Sequence, residues 1–290
     1  MKKLVVIFAV LLAVTSCAEK EILFTQGAGV IDYVCQEPNS DKTLQIYYYI
    51  PEGDVANMPV QIVMHGMGRN GDGYRDSWIK KADKYGFVVI TPTFSMDQFT
   101  EETYQQGNVV NAEGSFNEFA QMTYVIIDQV FDYFLKHSES KAKKYNIYGH
   151  SAGGQFVHRY LLFGRSRKIG KAIAANAGWY TFPTDTTAYP YGIGDAEQSL
   201  GLDIASYYAK DLTILLGDAD TLRTSSLRQT PEADGQGMYR LARGENFFSF
   251  CQADAERRGV PFNWKKAYVA GSNHSNNKMA PVAADIIYGE

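Results

Sequence analysis

Apolar and polar positions change their period several times along the chain. Residues 45–50 (QIYYYI) form a short apolar run stopped by Pro51, and 60–64 (VQIVM) form another that ends at His65-Gly66. Such runs, bounded by turn formers, predict strands. Residues 77–85 have helical spacing and stop at Gly86, and 87–91 predict a strand closed by Pro92. The longest helical pattern covers 119–136. A strand is predicted over 145–148 and a helix over 153–163, followed by strands over 171–175, 212–216 and 264–269. A helix over 279–287 closes the pattern.

Short apolar strands alternating with helices predict the α/β class, with a mostly parallel sheet covered by helices on both faces. The near-continuous apolar character of TILLG and KAIAA fits strands buried on both sides. Two stretches break the alternation. Residues 94–114 and 219–244 are long and rich in polar residues, Gly and Thr. They predict loops bordering a site at the carboxyl ends of the strands. No repeat, low-complexity tract or linker divides the chain, so a single domain is expected over 28–290.

The N-terminus has a different pattern. Lys2 and Lys3 precede an apolar stretch from 4 to 14, and then come Thr15, Ser16 and Cys17. A basic start, a short apolar segment and small residues describe a secretory signal. The 11 apolar residues fall short of the roughly 20 that a membrane-spanning helix needs. Val14-Thr15-Ser16-Cys17 resembles a bacterial lipobox, so 1–16 is expected to be a lipoprotein signal peptide and Cys17 the lipidated first residue. Residues 17–27 would form a tether to a membrane surface at the bacterial cell envelope, periplasmic or surface-facing. An exported compartment permits a disulfide between Cys35 and Cys251, but two small buried thiols explain them equally well.

Composition removes some classes. A 290-residue chain with 45% hydrophobic and 21% charged residues is globular. The formal charge of −4 becomes −6 once Lys2 and Lys3 leave with the signal. A mildly acidic chain without a basic cluster does not suit a nucleic-acid backbone. No spacing suggests a metal or cofactor.

Candidate chemistry centres on YNIYGHSAGG, residues 145–154. Ser151 lies in Gly149-His150-Ser151-Ala152-Gly153, a G-x-S-x-G pattern between a predicted strand and a predicted helix. It is either a helix cap or a nucleophile on a sharp turn. A serine nucleophile needs a base and a group that orients the base. In this setting the expected chain order is Ser, then an acid, then His. Of the five histidines, only His274 follows the later strands, in the loop GSNHSNN. GDAD after the strand at 212–216 offers Asp218 and Asp220. Asp220 is favoured as the acid, and Asp218 as a loop-capping carboxylate. The oxyanion needs backbone donors. Ala152, directly after the nucleophile, is one, and Met67 in His65-Gly66-Met67-Gly68 is the other. His65 is expected to brace that loop, His150 and His158 to pack around the elbow, and His137 to be solvated.

Here the chain resembles the α/β-hydrolase superfamily. VMHGMGRNGDGY, GHSAGGQ, LLGDAD and GSNHS occur in the order expected for it. The His-Gly start and the GHSAGG elbow look most like the polyhydroxybutyrate-depolymerase and feruloyl-esterase branch of secreted serine esterases. The resemblance implies the α/β-hydrolase fold, Ser151 as nucleophile, His274 as base, Asp220 as acid, and Met67 and Ala152 as oxyanion donors. It implies no cofactor and a small-molecule or oligomeric ester as substrate. A peptidase or amidase on the same fold is the alternative enzyme. A lipoprotein that has lost catalysis and only binds is the alternative outside enzymes.

Aromatic residues after the strand AIAANAG, Trp179 and Tyr180 with Tyr189 and Tyr191, are candidate substrate contacts, with ordinary packing the other reading. Arg69, Asn70 and Tyr74 beside the oxyanion loop would bind a carboxylate or hydroxyl, or else brace the loop. Oligomeric state is left open.

Overall fold

The computed structural model describes residues 21–289. The signal segment 1–16, the lipidation site Cys17 and the first part of the tether lie outside the described residues.

In chain order the elements begin with β1 (Gly27–Val34), β2 (Thr43–Ile50), β3 (Val60–Met64), α1 (Gly71–Asp76), α2 (Ile79–Tyr85) and β4 (Val88–Thr93). There follow α3 (Val125–Lys136), β5 (Tyr145–His150), α4 (Ala152–Phe163), β6 (Ile169–Ala175), α5 (Ala196–Ser199) and α6 (Ile204–Tyr208). The last are β7 (Leu212–Gly217), α7 (Pro231–Gly235), α8 (Arg240–Arg258), β8 (Lys265–Val269) and α9 (Asn276–Tyr288). The strands form one eight-stranded sheet in the order β1-β2-β4-β3-β5-β6-β7-β8. The β1/β2 and β2/β4 pairings are antiparallel, and the others are parallel.

Alternation within the central strands divides the core. Ile62 and Met64 of β3, Ile147 of β5 and Ile214 of β7 face one apolar cluster with α3, α4, α6 and α8. Val63, Tyr148 and Leu215 face the other, with α1, α2 and α9. Burial on both sides is why these strands read as continuous apolar runs. Each large side chain so enclosed contributes about 1.5–3 kcal/mol of transfer free energy. Layers on both faces fix the strand ends at which the loops converge.

Four expectations need correction. The tether predicted over 17–27 is already packed at its end. Phe24 is buried in the core, and the N–H groups of Leu23 and Phe24 donate to the His137 carbonyl. The helical pattern over 119–136 is broken, because Met122 is extended between a short 3-10 turn (Phe119–Gln121) and α3. A capping box between Glu118 and Gln121 closes that turn on itself. The loop predicted over 219–244 contains α7 and the first residues of α8, a 19-residue helix that the sequence pattern did not predict. His137 is half-buried rather than solvated, with Nδ1 at 3.1 Å from the Glu21 carbonyl oxygen.

Candidate active site

The sharp turn after β5 is built by what its glycines lack. A Cβ on Gly149 would collide with the Gly153 carbonyl group. A Cβ on Gly153 would stand 2.8 Å from the His65 carbonyl oxygen and closer still to that of Met64. Without these carbons, α4 starts hard against β3 and β5. Ser151 then takes φ 57° and ψ −115°, a strained conformation that non-glycine residues rarely adopt. Its own N–H donates to the Ala175 carbonyl at 2.9 Å, and its side chain makes no capping bond to α4. The cap reading is therefore excluded.

The freed hydroxyl has another partner. Nε2 of His274 lies 2.9 Å from Ser151 Oγ, and Nδ1 lies 2.7 Å from Oδ2 of Asp220. The three residues come from turns after β5, β7 and β8, at the same end of the sheet. Asp220 is buried and His274 half-buried, so the carboxylate is shielded while the imidazole remains partly exposed. Asp218 is exposed and accepts from the Gly271 N–H at 2.7 Å, the loop-capping role expected of it.

Two residues that sequence reasoning missed hold this line in place. Asn176, at φ 43° after β6, accepts from the Gly217 N–H at 2.8 Å. It also donates to the Asn273 carbonyl at 3.2 Å, so one amide spaces the acid turn from the histidine loop. Arg240, at the start of α8, brings Nη1 to 3.6 Å from Asp220 Oδ1, and both side chains are buried. The Leu241 N–H donates to the Asp220 carbonyl at 3.2 Å, which ties the helix start to the acid's backbone as well. No sequence signal could have found Arg240, because its position is set by a helix that was read as loop.

Met67 and Ala152, the expected oxyanion donors, both lie beside Ser151. Ala152 is the first residue of α4, and its N–H has no intrahelical acceptor. Met67 follows β3, and the missing Cβ of Gly66 would lie 3.7 Å from Ser151 Cβ, so this turn touches the nucleophile. His65 braces it: Nδ1 is 2.9 Å from the Gly66 carbonyl oxygen, and Nε2 accepts from the Phe94 N–H at 3.0 Å. Full burial pushes the His65 imidazole down to about 3, and it stays neutral. His150 packs its ring 4.7 Å from that of His274 and bonds the Tyr74 hydroxyl through Nδ1 at 2.9 Å. Desolvation and the neighbouring His274 hold His150 well below the usual histidine range. His158 is also buried, accepting from the Thr181 N–H at 3.1 Å.

A cavity of about 180 Å³ opens at Ser151. Its walls include Met67, Gln105, Gln155, Trp179, Arg228 and Arg240, half of them from the two long stretches at 94–114 and 219–244. Trp179 is thus a wall residue, although it is itself almost fully buried. Tyr180 is not. It is fully buried and stacks on Phe247 at 4.4 Å, because the chain turns it away from the cleft. Arg69 is not a substrate contact either. Nη1 donates to the Phe94 carbonyl at 2.7 Å and Nη2 to that of Phe99 at 3.2 Å, with the guanidinium on the Tyr104 ring. It braces the loop that carries Glu101 and Gln105. Gln155 was missed by the sequence reading, although its place one helical turn after Ser151 is the signal that would have put it on the same face. Cys35 and Cys251 are both buried free thiols.

This fold and site define a class: an α/β enzyme with a serine on a nucleophile elbow, facing a histidine and a buried acid. Solved structures agree with the fold and with a hydrolase. The chain is 39% identical to a poly(aspartic acid) hydrolase from Sphingomonas sp. KT-1, over 92% of this chain and 100% of that one, with a TM-score of 0.85. It is 33% identical to a poly(3-hydroxybutyrate) depolymerase from Bordetella parapertussis, over 91% and 90%, with a TM-score of 0.86. An S-formylglutathione hydrolase from Staphylococcus aureus shares the fold at 17% identity and a TM-score of 0.56, over 90% and 97%. No protein-family model and no curated protein matches the chain. The chain is a hydrolase of the α/β-hydrolase superfamily and belongs to its polyhydroxybutyrate-depolymerase-like branch.

Proposed function

We propose that the chain hydrolyses carboxylic esters through an acyl-enzyme formed on Ser151. The observation that carries this reading is the line from the Asp220 carboxylate through His274 to the Ser151 hydroxyl, at 2.7 and 2.9 Å. The Ser151 proton passes to His274 Nε2 as Oγ bonds to the substrate's carbonyl carbon. The carbonyl electron pair moves onto oxygen, where the Met67 and Ala152 N–H groups donate to it. Collapse of this intermediate expels the alcohol, which takes the proton from His274. Water then attacks the acyl carbon, gives its proton to Nε2, and the acid leaves as Ser151 recovers its hydrogen. Asp220 keeps Nδ1 protonated, so that Nε2 is the basic nitrogen.

A fluorophosphonate probe tests the reading. Labelling is expected at Ser151 in the native protein and absent in Ser151→Ala; equal labelling of both would refute it. An amidase is the second reading, supported by the 39% identity to a poly(aspartic acid) hydrolase, whose named polymer is joined by amide bonds. Matched ester and amide substrates separate the two. A protein that only binds would turn over neither. Turnover of a p-nitrophenyl ester that disappears in His274→Ala rules that out.

The enzyme is also proposed to work at the bacterial cell envelope, anchored through a lipid on Cys17. Support comes from the sequence of residues 1–17. Mass spectrometry of the mature N-terminus is expected to find a diacylglyceryl Cys17, and an unmodified residue there refutes the anchor.

A further inference from the structure

Cations around the catalytic cavity are incompletely paired. Arg228 and Arg240 line it, and Arg159 lies directly behind its Trp179 wall, with the guanidinium 4.1 Å from the indole ring. Among the described residues, three carboxylates act on these three cations: Asp220, Glu101 and, from the exposed surface, Glu232, which Arg228 attracts electrostatically. Asp220 is committed to His274 and Arg240. Glu101 stands 3.8 Å from Arg228, beyond hydrogen-bond distance, with its side chain 46% exposed. Arg159 is fully buried and pairs with no carboxylate among the described residues. Its Nη2 has no hydrogen-bond partner among them.

Arg228 is held ready. Its Nε donates to the Tyr191 hydroxyl at 2.8 Å, and its guanidinium lies 5.1 Å from the Trp179 ring and 5.7 Å from that of Tyr191. That one bond and the aromatic contacts fix the plane of the fork. The Nη1 and Nη2 edges make no hydrogen bond among the described residues. A planar guanidinium fixed in this way presents parallel N–H groups that match a carboxylate in two places. Holding a partly desolvated cation with its anion beyond hydrogen-bond distance costs free energy that a better-placed bound anion recovers.

We propose that Arg228 is a specificity residue, and that the natural substrate carries a free carboxylate a few bonds from the scissile carbonyl. This rests on the hydrolase reading above and names its substrate class. Glu101 competes with the substrate for Arg228 from the rim of the cleft. Arg159, screened from solvent behind Trp179, adds a fixed positive field.

Two matched ester pairs test it. One pair, 4-nitrophenyl hydrogen adipate and its methyl ester, places the charge on the acyl side. The other, 4-acetoxybenzoate and its methyl ester, places it on the alcohol side. At low salt the native enzyme is expected to prefer the acid of at least one pair about tenfold in kcat/KM, as one charge-assisted bidentate contact allows. The acid-to-neutral ratio is expected to fall to about one in Arg228→Gln. It should rise in Glu101→Gln, which keeps the test open if the arginine variant fails to fold. A ratio at or below one for both pairs in the native enzyme overturns the proposal, as does a preference that survives Arg228→Gln. Neutral esters turned over without preference would leave the hydrolase reading intact. If no ester is turned over, that reading falls instead, and calorimetric titration of Ser151→Ala with adipate and with monomethyl adipate decides this one. Tighter binding of adipate that is lost on adding Arg228→Gln supports it; equal binding overturns it.

Discussion

Replacing Asp220 by Asn changes one atom at a point where geometry and charge both matter. The carboxylate Oδ2 lies 2.7 Å from His274 Nδ1 and holds the proton on that nitrogen. The amide introduced by Asp220→Asn would donate to Nδ1 and so move the ring proton to Nε2, the nitrogen that must accept from Ser151. The carboxylate also stabilises the imidazolium that forms during attack. At 2.7 Å, with an effective dielectric constant of about 20, that attraction is about 6 kcal/mol. Since each 1.36 kcal/mol is tenfold in rate, this corresponds to at most about 4.5 decades, and the comparable change in a serine protease triad costs roughly 10⁴-fold. A loss of about 10⁴ in kcat/KM for p-nitrophenyl butyrate is therefore expected, with labelling of Ser151 slowed in parallel. Arg240, 3.6 Å from Asp220 Oδ1, would also lose its anion. A lone buried charge costs about 3 kcal/mol, and melting would then fall by roughly 6–12 °C. Rates are accordingly read at 25 °C, with circular dichroism confirming the folded state. Asp218→Asn keeps an acceptor for Gly271 and is expected to cost less than about threefold. A smaller loss in Asp220→Asn than in Asp218→Asn, or one below tenfold, would refute the assignment of the acid.

Gly153→Ala is expected to push α4 away from β3, since the new methyl would meet only backbone there. Overpacking of this kind costs about 1–3 kcal/mol, and a displaced elbow loses roughly 10² in rate; wild-type kcat with an unchanged melting temperature would contradict the packing described. Acid is expected to unfold the protein early. His65, pushed down to about 3, and His150 and His158, both held well below their ordinary value, are buried neutral and gain their proton on unfolding. The unfolded chain binds more protons below about pH 6.5, so stability falls as pH drops, by about 2 kcal/mol per such histidine between pH 7.5 and 5. His65→Gln should flatten the dependence of melting temperature on pH; an unaltered slope would refute its neutral burial.

Much of the fold was legible because the central strands are enclosed on both faces. The runs at 60–64, 145–148 and 212–216 fall within β3, β5 and β7. Ser151, Asp220 and His274 were legible for a related reason, since each follows such a strand. Edges and cations were harder. β1 alternates half-buried and exposed residues up to the buried Tyr33 and carries two glycines, so its pattern is too weak to read as a strand. The start of α8 (RLARGENFF) looks solvated, yet Arg240, Arg243 and Gly244 are buried in it. Arg243 donates to the Gly178 carbonyl at 2.7 Å and pairs with Asp234, and Gly244 has no room for a side chain beside Leu216. Cations neutralised by partners distant in sequence read as surface. Trp179 and Tyr180 show the same limit at the site: adjacent aromatics point to opposite environments, which composition cannot separate.

The bond from the Leu241 N–H to the Asp220 carbonyl pins both ends of the intervening segment to one residue. Everything from 221 to 239 is consequently an excursion that leaves the acid and returns to it. The length and composition of its exposed part can be exchanged without disturbing the proton path, provided Arg240 and Leu241 arrive where they do now and Asp234 and Gln236 keep their bonds to Arg243 and Tyr180. Loop grafting at these two boundaries would thus retarget the cleft as a cassette, with the catalytic groups left as a fixed chassis.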